Sequence, residues 1–198
     1  MTIYFELIIQ PPFMEVTREF IRIFTLVTGP LVLVSYAYGL SRLDDKASLW
    51  GGIPASWTTY IVPFMFLAAI GFLMFWWISL FKIDVTVMES LRWPWGESDG
   101  NGAKRLLLAY ALFLIPSLLW IDSTIFHMKS SYSWTPLLVI GILGLASIGN
   151  IMFGLLAYGA WQDGVDGSGM MLLGSVFLAI QVVLNDFIIW SAKFPWQG

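Results

Sequence analysis

The sequence predicts an all-α membrane protein, a bundle of five transmembrane helices that forms one domain over residues 1–198. Hydrophobic residues make up 58% of the chain and charged residues only 12%, whereas soluble domains carry about 25% charge. Eleven Trp and fifteen Phe supply side chains of the kind that anchor helices at membrane interfaces. The run from Ser130 to Gln162 contains no charged residue and no His, and it exceeds the roughly 20 residues that a spanning helix needs.

The helix predicted within this run, over 135–161, is the centre of the bundle. Trp134 and Trp161 flank it at the positions where aromatic side chains meet the two membrane interfaces. Small and polar side chains recur every four residues along one of its faces: Ala146, Asn150, Gly154 and Tyr158. This face predicts close contact with neighbouring helices.

Four further spans are predicted from uncharged runs: 23–40, 57–81, 106–121 and 170–191. The third has only about 16 uncharged residues and would need help from its flanks or a local thinning of the bilayer. Residues 122–131 are predicted to form a short loop after it, and residues 82–105 a long polar loop before it. Pro11 and Pro12 interrupt residues 1–22, which predicts an interfacial segment that leads into the first span.

Charge and cysteine content limit the topology and the partners. With the N-terminus inside, six Lys and Arg fall on the cytoplasmic side and four on the other, which favours a cytoplasmic N-terminus. The N-terminus lacks a basic region before an apolar core, so we expect no cleavable signal peptide. The net charge of −3 and the absence of basic runs exclude nucleic acid as an expected partner. Without Cys, the chain has no disulfide and no thiolate metal site.

Asp186 is the one acid well inside a predicted span, where a carboxylate costs about 2.5–3.5 kcal/mol at the bilayer centre. Gln181 and Asn185 lie one helical turn apart on a shared face, and Asp186 lies beside that face. Two interpretations are open. The three side chains bind a ligand or relay a proton, or else Asp186 lies near water at the helix end while the two amides join helices.

Asn150 and His127 have two interpretations as well. The amide of Asn150 lies near the middle of the central helix and either faces a cavity or bonds a neighbouring helix, because an unpaired polar group in hydrocarbon costs several kcal/mol. His127 is the only histidine, too few for a diheme centre, and is predicted to lie in an interfacial loop where Asp122 is a candidate partner. We predict no metal site and no cofactor.

Catalytic signatures are absent from the sequence. It has no Ser-His-Asp pattern, HExxH, GxSxG or Walker motif, so no catalytic residue is predicted and enzymatic activity is not favoured. Four Trp residues near loop ends are instead candidates for an aromatic pocket that takes a flat apolar ligand: Trp50, Trp57, Trp120 and Trp134.

Three short stretches resemble a known family. Trp57-Thr58-Thr59-Tyr60 resembles a Trp-Thr-x-x-Tyr motif, Leu184-Asn185 followed by Trp190 resembles Leu-Asn-x-x-x-Trp, and Ala146 to Asn150 is similar to Ala-Thr-Ile-Ala-Asn. With five spans and abundant Trp, these stretches resemble the tryptophan-rich sensory protein family, also called TspO or the translocator protein. The resemblance implies a cavity between helices that binds a tetrapyrrole or a sterol-like ligand.

Three functions follow as hypotheses. The first is binding or transport of an apolar or aromatic small molecule, with Trp57 and Tyr60 stacking on it. Polar contacts would come from the remaining candidates: Asn150, Gln181, Asn185 and Asp186. The second is a non-catalytic accessory or structural subunit of a larger membrane complex, or a homo-oligomer. The third, ranked lowest, is an intramembrane enzyme or proton-coupled carrier that uses Asp186, because no second acid or base lies in a span.

Overall fold

The structure, a computed structural model, describes residues 16–130 and 132–196. Regular secondary structure in these two ranges is entirely helical. A short 3₁₀ helix at Lys46–Trp50 lies between the first two of six helices: α1 Arg18–Ser41, α2 Ala55–Lys82, α3 Val85–Ser90, α4 Gly102–Lys129, α5 Thr135–Gln162 and α6 Ser168–Lys193. The interfacial segment predicted around Pro11 and Pro12 lies outside the described residues.

Five helices, all except α3, are long and apolar enough to cross a bilayer. This confirms the predicted all-α fold with five spanning helices. The side of the membrane on which the N-terminus lies stays a prediction.

The first span begins earlier than the uncharged run from residue 23 predicts, because charged side chains at its start find partners. The Thr17 hydroxyl caps the helix by accepting a hydrogen bond from the Phe20 amide at 3.2 Å. Arg22 pairs with Glu19 and donates from Nε to the Leu80 carbonyl at the end of α2, at 2.9 Å. A prediction that counts only uncharged residues therefore starts this span after Arg22, later than the helix begins in the structure.

The loop predicted at residues 122–131 is wrong, since α4 continues through Asp122 to Lys129 and is 28 residues long. The carboxylate of Asp122 forms an ion pair with Arg42 at the end of α1, which keeps a charge inside the helix. The hydroxyls of Ser123 and Thr124 both donate hydrogen bonds to the Trp120 carbonyl, at 2.8 Å. The third span therefore has ample length to cross a bilayer without thinning.

The polar loop predicted at 82–105 is shorter in the structure, because it contains α3 and ends where α4 begins at Gly102. Arg92 connects it to the turn between α5 and α6 through Asp163, with nitrogen–oxygen distances of 2.6–3.2 Å. This hydrogen bonding to Asp163 raises the pKa of Arg92. Arg105 likewise donates to Asp99 at 2.6 Å and holds the pKa of that carboxyl well below its usual range.

Close backbone approach at glycines organises the bundle. A Cβ at Gly149 of α5 would lie 2.6 Å from the Phe113 amide and 2.8 Å from the Ala109 carbonyl oxygen of α4. Gly71 of α2 and Gly174 of α6 touch each other's backbone in the same way. Small residues at such crossings are typical of helix packing in membranes.

Helix α1 packs along α4 and meets α2 mainly at one end of the bundle. There the indole of Trp76 donates to the Thr25 hydroxyl at 2.8 Å, close to the bond from Arg22 to α2. Beyond this point a groove separates α1 from α2. It is open on the side that would face lipid.

Replacing Gly149 with Ala should destabilise the fold by about 1–3 kcal/mol, because the added methyl overpacks the α4–α5 contact. The matched control is Gly141→Ala on the same helix, where the new methyl has no neighbour within 4 Å. Helix propensity should make that control neutral or stabilising by up to about 1 kcal/mol. Unfolding in mixed detergent micelles measures both, and equal effects would contradict the packing argument.

Asp99→Asn should lower the melting temperature at neutral pH, because Arg105 favours the ionised carboxylate only in the folded state. Since the folded pKa lies below the unfolded one, this stabilisation is present above the ordinary carboxyl pKa and is lost as pH falls through the folded pKa. Melting curves of variant and wild type should differ by a constant amount from neutral to mildly acidic pH and converge at lower pH. Glu97→Gln, an exposed acid in the same loop, is the control.

Candidate functional site

A cavity of about 210 Å³ lies inside the bundle and is bordered by all five long helices. Its wall is mainly aliphatic and aromatic. Polar side chains enter it from α1, α4 and α6: Tyr36, Ser117, Trp120, Gln181 and Asp186. A largely apolar chamber with a few convergent polar groups is the usual form of a small-molecule site.

The polar side of the cavity is built by an unusual segment of α6. Residues Ile180–Trp190 wind as a π-helix, in which each backbone bond spans five residues. This wider winding brings Gln181 and Asp186 together: the Gln181 amide Nε2 donates to Asp186 Oδ1 at 2.7 Å. Asn185 Nδ2 donates in turn to Gln181 Oε1 at 3.1 Å. π-helical turns are rare and frequently accompany functional sites.

Asp186 is the single charged residue among those that line the cavity. Within the described part of the chain, its carboxylate accepts a hydrogen bond from Gln181 and forms no ion pair. The Ser117 hydroxyl is used within α4, where it donates to the Phe113 carbonyl at 2.6 Å. Asp186 and Gln181 therefore supply the polar chemistry of the chamber.

Two aromatic rings form another part of the wall. The ring centroids of Tyr36 on α1 and Trp120 on α4 lie 5.6 Å apart, with an interplanar angle of 50°. The indole Nε1 of Trp120 is buried without a hydrogen-bond partner among the described residues. The sequence indicated Trp120 as a candidate for an aromatic pocket but did not indicate Tyr36. A Tyr within an apolar run gives no signal of which face of the helix it occupies.

A separate groove adjoins the cavity from the membrane side of the bundle. The groove between α1 and α2 has a volume of about 410 Å³ and an almost entirely apolar wall. Val32, Phe113 and Leu114 line both the groove and the cavity. The two spaces therefore adjoin each other at these side chains.

Asn150 lies away from the cavity wall, buried between α5 and α6 with 1% of its surface exposed. Its Nδ2 donates to the Ser175 carbonyl at 3.2 Å, which is the interhelical bond foreseen as one of the two interpretations. Its Oδ1 is buried and has no partner among the described residues.

Trp57 and Tyr60 line a different space, an open groove of about 260 Å³ between α2 and α6. Asn185 borders this groove, whereas Gln181 and Asp186 border the cavity. Tyr60 is 71% exposed, so its ring does not cover this groove. The structure therefore divides the six predicted site residues among the cavity, the open groove and the α5–α6 contact.

His127 is not the loop residue that the sequence predicts. It lies in the last turn of α4 with 2% exposure, and its Nδ1 hydrogen-bonds the Thr135 hydroxyl at 2.7 Å. Asp122, the partner considered from the sequence, pairs with Arg42 instead. In the ranges that the structure describes, no group of three His, Cys, Asp or Glu side chains is placed to hold a metal ion.

The fold and the apolar helices place the chain in the class of multi-pass helical membrane proteins. No family model, curated protein or solved structure shows a significant match to it. Function therefore has to be argued from the cavity itself.

Gln181→Met should destabilise the protein by about 1–2 kcal/mol, because it removes the hydrogen bonds to both Asn185 and Asp186 while keeping a similar side-chain length. Side-chain hydrogen bonds in membrane bundles average about 0.6 kcal/mol and reach about 1.7. Leu184→Met, on the exposed face of α6, is the control and should change stability little. The free energy of unfolding in mixed detergent micelles tests this. If Gln181→Met is as stable as wild type, the hydrogen bonds of Gln181 do not stabilise the bundle.

Proposed function

We propose that this protein binds a small apolar or aromatic molecule in the cavity between its five spanning helices. The observation that supports this most is the cavity wall, which is apolar and aromatic and carries one polar side formed by Asp186 and Gln181. A ligand with an apolar body and one polar group matches both parts of this wall.

The volume of the cavity favours a ligand of one or two rings. An engineered apolar cavity of about 150 Å³ binds benzene, whereas pockets for drug-sized ligands span about 300–1,000 Å³. The cavity, at about 210 Å³, lies between these. A tetrapyrrole or sterol-like ligand, as the TspO resemblance implies, would require the cavity to merge with the groove between α1 and α2.

We further propose that the ligand enters from the bilayer through this groove. Its apolar wall favours partitioning of an apolar molecule out of lipid, and the side chains shared with the cavity form the barrier between the two spaces. Transport would need a second opening, and the lining of the cavity gives no second route of this kind. Binding is therefore the better-supported part of the proposal.

A third span too short to cross a bilayer by itself, and small-residue helix faces that need a partner, would favour an accessory subunit. The third span is long, and the small faces at Gly149, Gly71 and Gly174 contact other helices of the same bundle. For a proton carrier or intramembrane enzyme, a second acid or base would be needed beside Asp186. Among the described residues that line the cavity there is no second carboxylate and no Lys, Arg or His, and Tyr36 is the one other side chain that could exchange a proton.

Filling the cavity should abolish binding of a neutral aromatic probe. Ala146 lines the cavity and is 4% exposed, so Ala146→Leu places extra atoms inside it. We expect fluorine NMR of 4-fluorobenzyl alcohol with the protein in lipid nanodiscs to show binding to wild type and at least about a tenfold loss in the variant, since each 1.4 kcal/mol of lost contact is tenfold.

Gly141→Leu is the matched control, because it adds the same side chain to the same helix at a site with open space. It should bind the probe like wild type. If the probe binds Ala146→Leu as well as it binds wild type, the proposed site is wrong, and if no signal exceeds that of empty nanodiscs, the proposed function is wrong.

A further inference from the structure

Resting on the proposed binding function, we propose that the ligand is an aromatic ammonium, a protonated amine on an aromatic body, and that Asp186 is its counter-ion. The geometry that carries this is one carboxylate and two aromatic rings, Tyr36 and Trp120, on the wall of one cavity among the helices.

The first step concerns the balance of charge. Buried charges in proteins are paired, because an isolated ion in a medium of low dielectric constant is costly. The described residues form four ion pairs near the ends of the bundle: Arg22–Glu19, Arg42–Asp122, Arg92–Asp163 and Arg105–Asp99. Asp186 belongs to none of them, and among residues 16–130 and 132–196 no Lys, Arg or His lines its cavity. A cationic ligand supplies the charge that the described residues around Asp186 lack.

The second step concerns the amide beside the carboxylate. Gln181 donates to Oδ1 through Nε2, while its own Oε1 accepts from Asn185. The chain of bonds thereby fixes the direction of the Gln181 amide and fixes the carboxylate against it. An amide hydrogen bond orients a carboxylate but brings no net positive charge, so an ammonium gains the full attraction of the acid in a water-poor site.

The third step concerns the aromatic wall. A cation within about 6 Å of an aromatic ring centroid is attracted to the ring face, most strongly by Trp, and the gain reaches about 2 kcal/mol when the cation is desolvated. Tyr36 and Trp120 stand at an angle to each other, which suits a ligand that contacts both rings. Aliphatic side chains such as Ile142 and Leu143 leave room for its apolar body.

An isosteric pair of probes tests the charge alone. 4-Fluorobenzylamine is protonated at neutral pH, and 4-fluorobenzyl alcohol has the same ring and length without the charge. Both are titrated by fluorine NMR into the protein in nanodiscs of zwitterionic phosphatidylcholine, with empty nanodiscs as the background. We expect the amine to bind at least about tenfold more tightly, the ratio that one partly desolvated ionic or cation–π contact provides.

Two variants test whether the preference for the amine depends on Asp186. Asp186→Asn should weaken the amine by about tenfold or more and leave the alcohol nearly unchanged, since 1.4 kcal/mol corresponds to tenfold. Asp166→Asn removes the same charge from the exposed turn between α5 and α6 and should change neither probe. If Asp186→Asn does not fold, the comparison of the two probes on wild type decides by itself.

The outcomes separate the two proposals. If the alcohol binds as tightly as the amine, or more tightly, the charged ligand is ruled out while the binding cavity stands. If the amine is preferred but Asp186→Asn keeps that preference, Asp186 is not the counter-ion and the inference is overturned. If neither probe binds, the proposed function itself fails.

Discussion

The need to pair polar groups in the absence of water shapes the hydrogen bonding of this bundle. In hydrocarbon, an unpaired amide or hydroxyl costs several kcal/mol, so such groups bond within their own helix or across to the next. Tyr110 and Ser79 share a buried hydrogen bond of 2.9 Å, and Trp190 donates to the Leu49 carbonyl at 2.8 Å. Against this background, the carboxylate of Asp186 differs from the other polar groups, because it faces an apolar cavity among the helices and its cost needs a compensating interaction.

Two kinds of packing fill the interior of the bundle away from the cavity. Where glycines meet, backbones approach so closely that no side chain fits between them. Aromatic rings fill another part of the core, where Phe75, Tyr110 and Phe153 are in mutual contact. The cavity lies beside these regions and is bordered by Pro116 and Ser117 of α4 and by Gln181 and Asp186 of α6. Space and charge therefore coincide at one position.

Hydropathy was sufficient to predict the fold, because five apolar runs separated by polar segments leave few alternatives in a bilayer. It did not predict the end of α4, since Asp122 reads as a loop residue until its pairing with Arg42 is known. In the site, the spacing of Gln181 and Asn185 predicted their contact. The separation of Trp57 and Tyr60 from Asp186, and the part played by Tyr36, depend on how α1, α2 and α6 are placed, which local periodicity does not encode.

The π-helical winding of α6 ties the chemistry of the cavity to the pitch of one helix. In an α-helix, residues five apart point in directions about 140° different, so Gln181 and Asp186 could not share a side. Rewinding this segment by one backbone register would turn the acid away from its amide without any change of sequence. The electrical character of the chamber is therefore set by helix pitch as well as by composition, since the same residues wound as an ordinary α-helix would separate the acid from its amide.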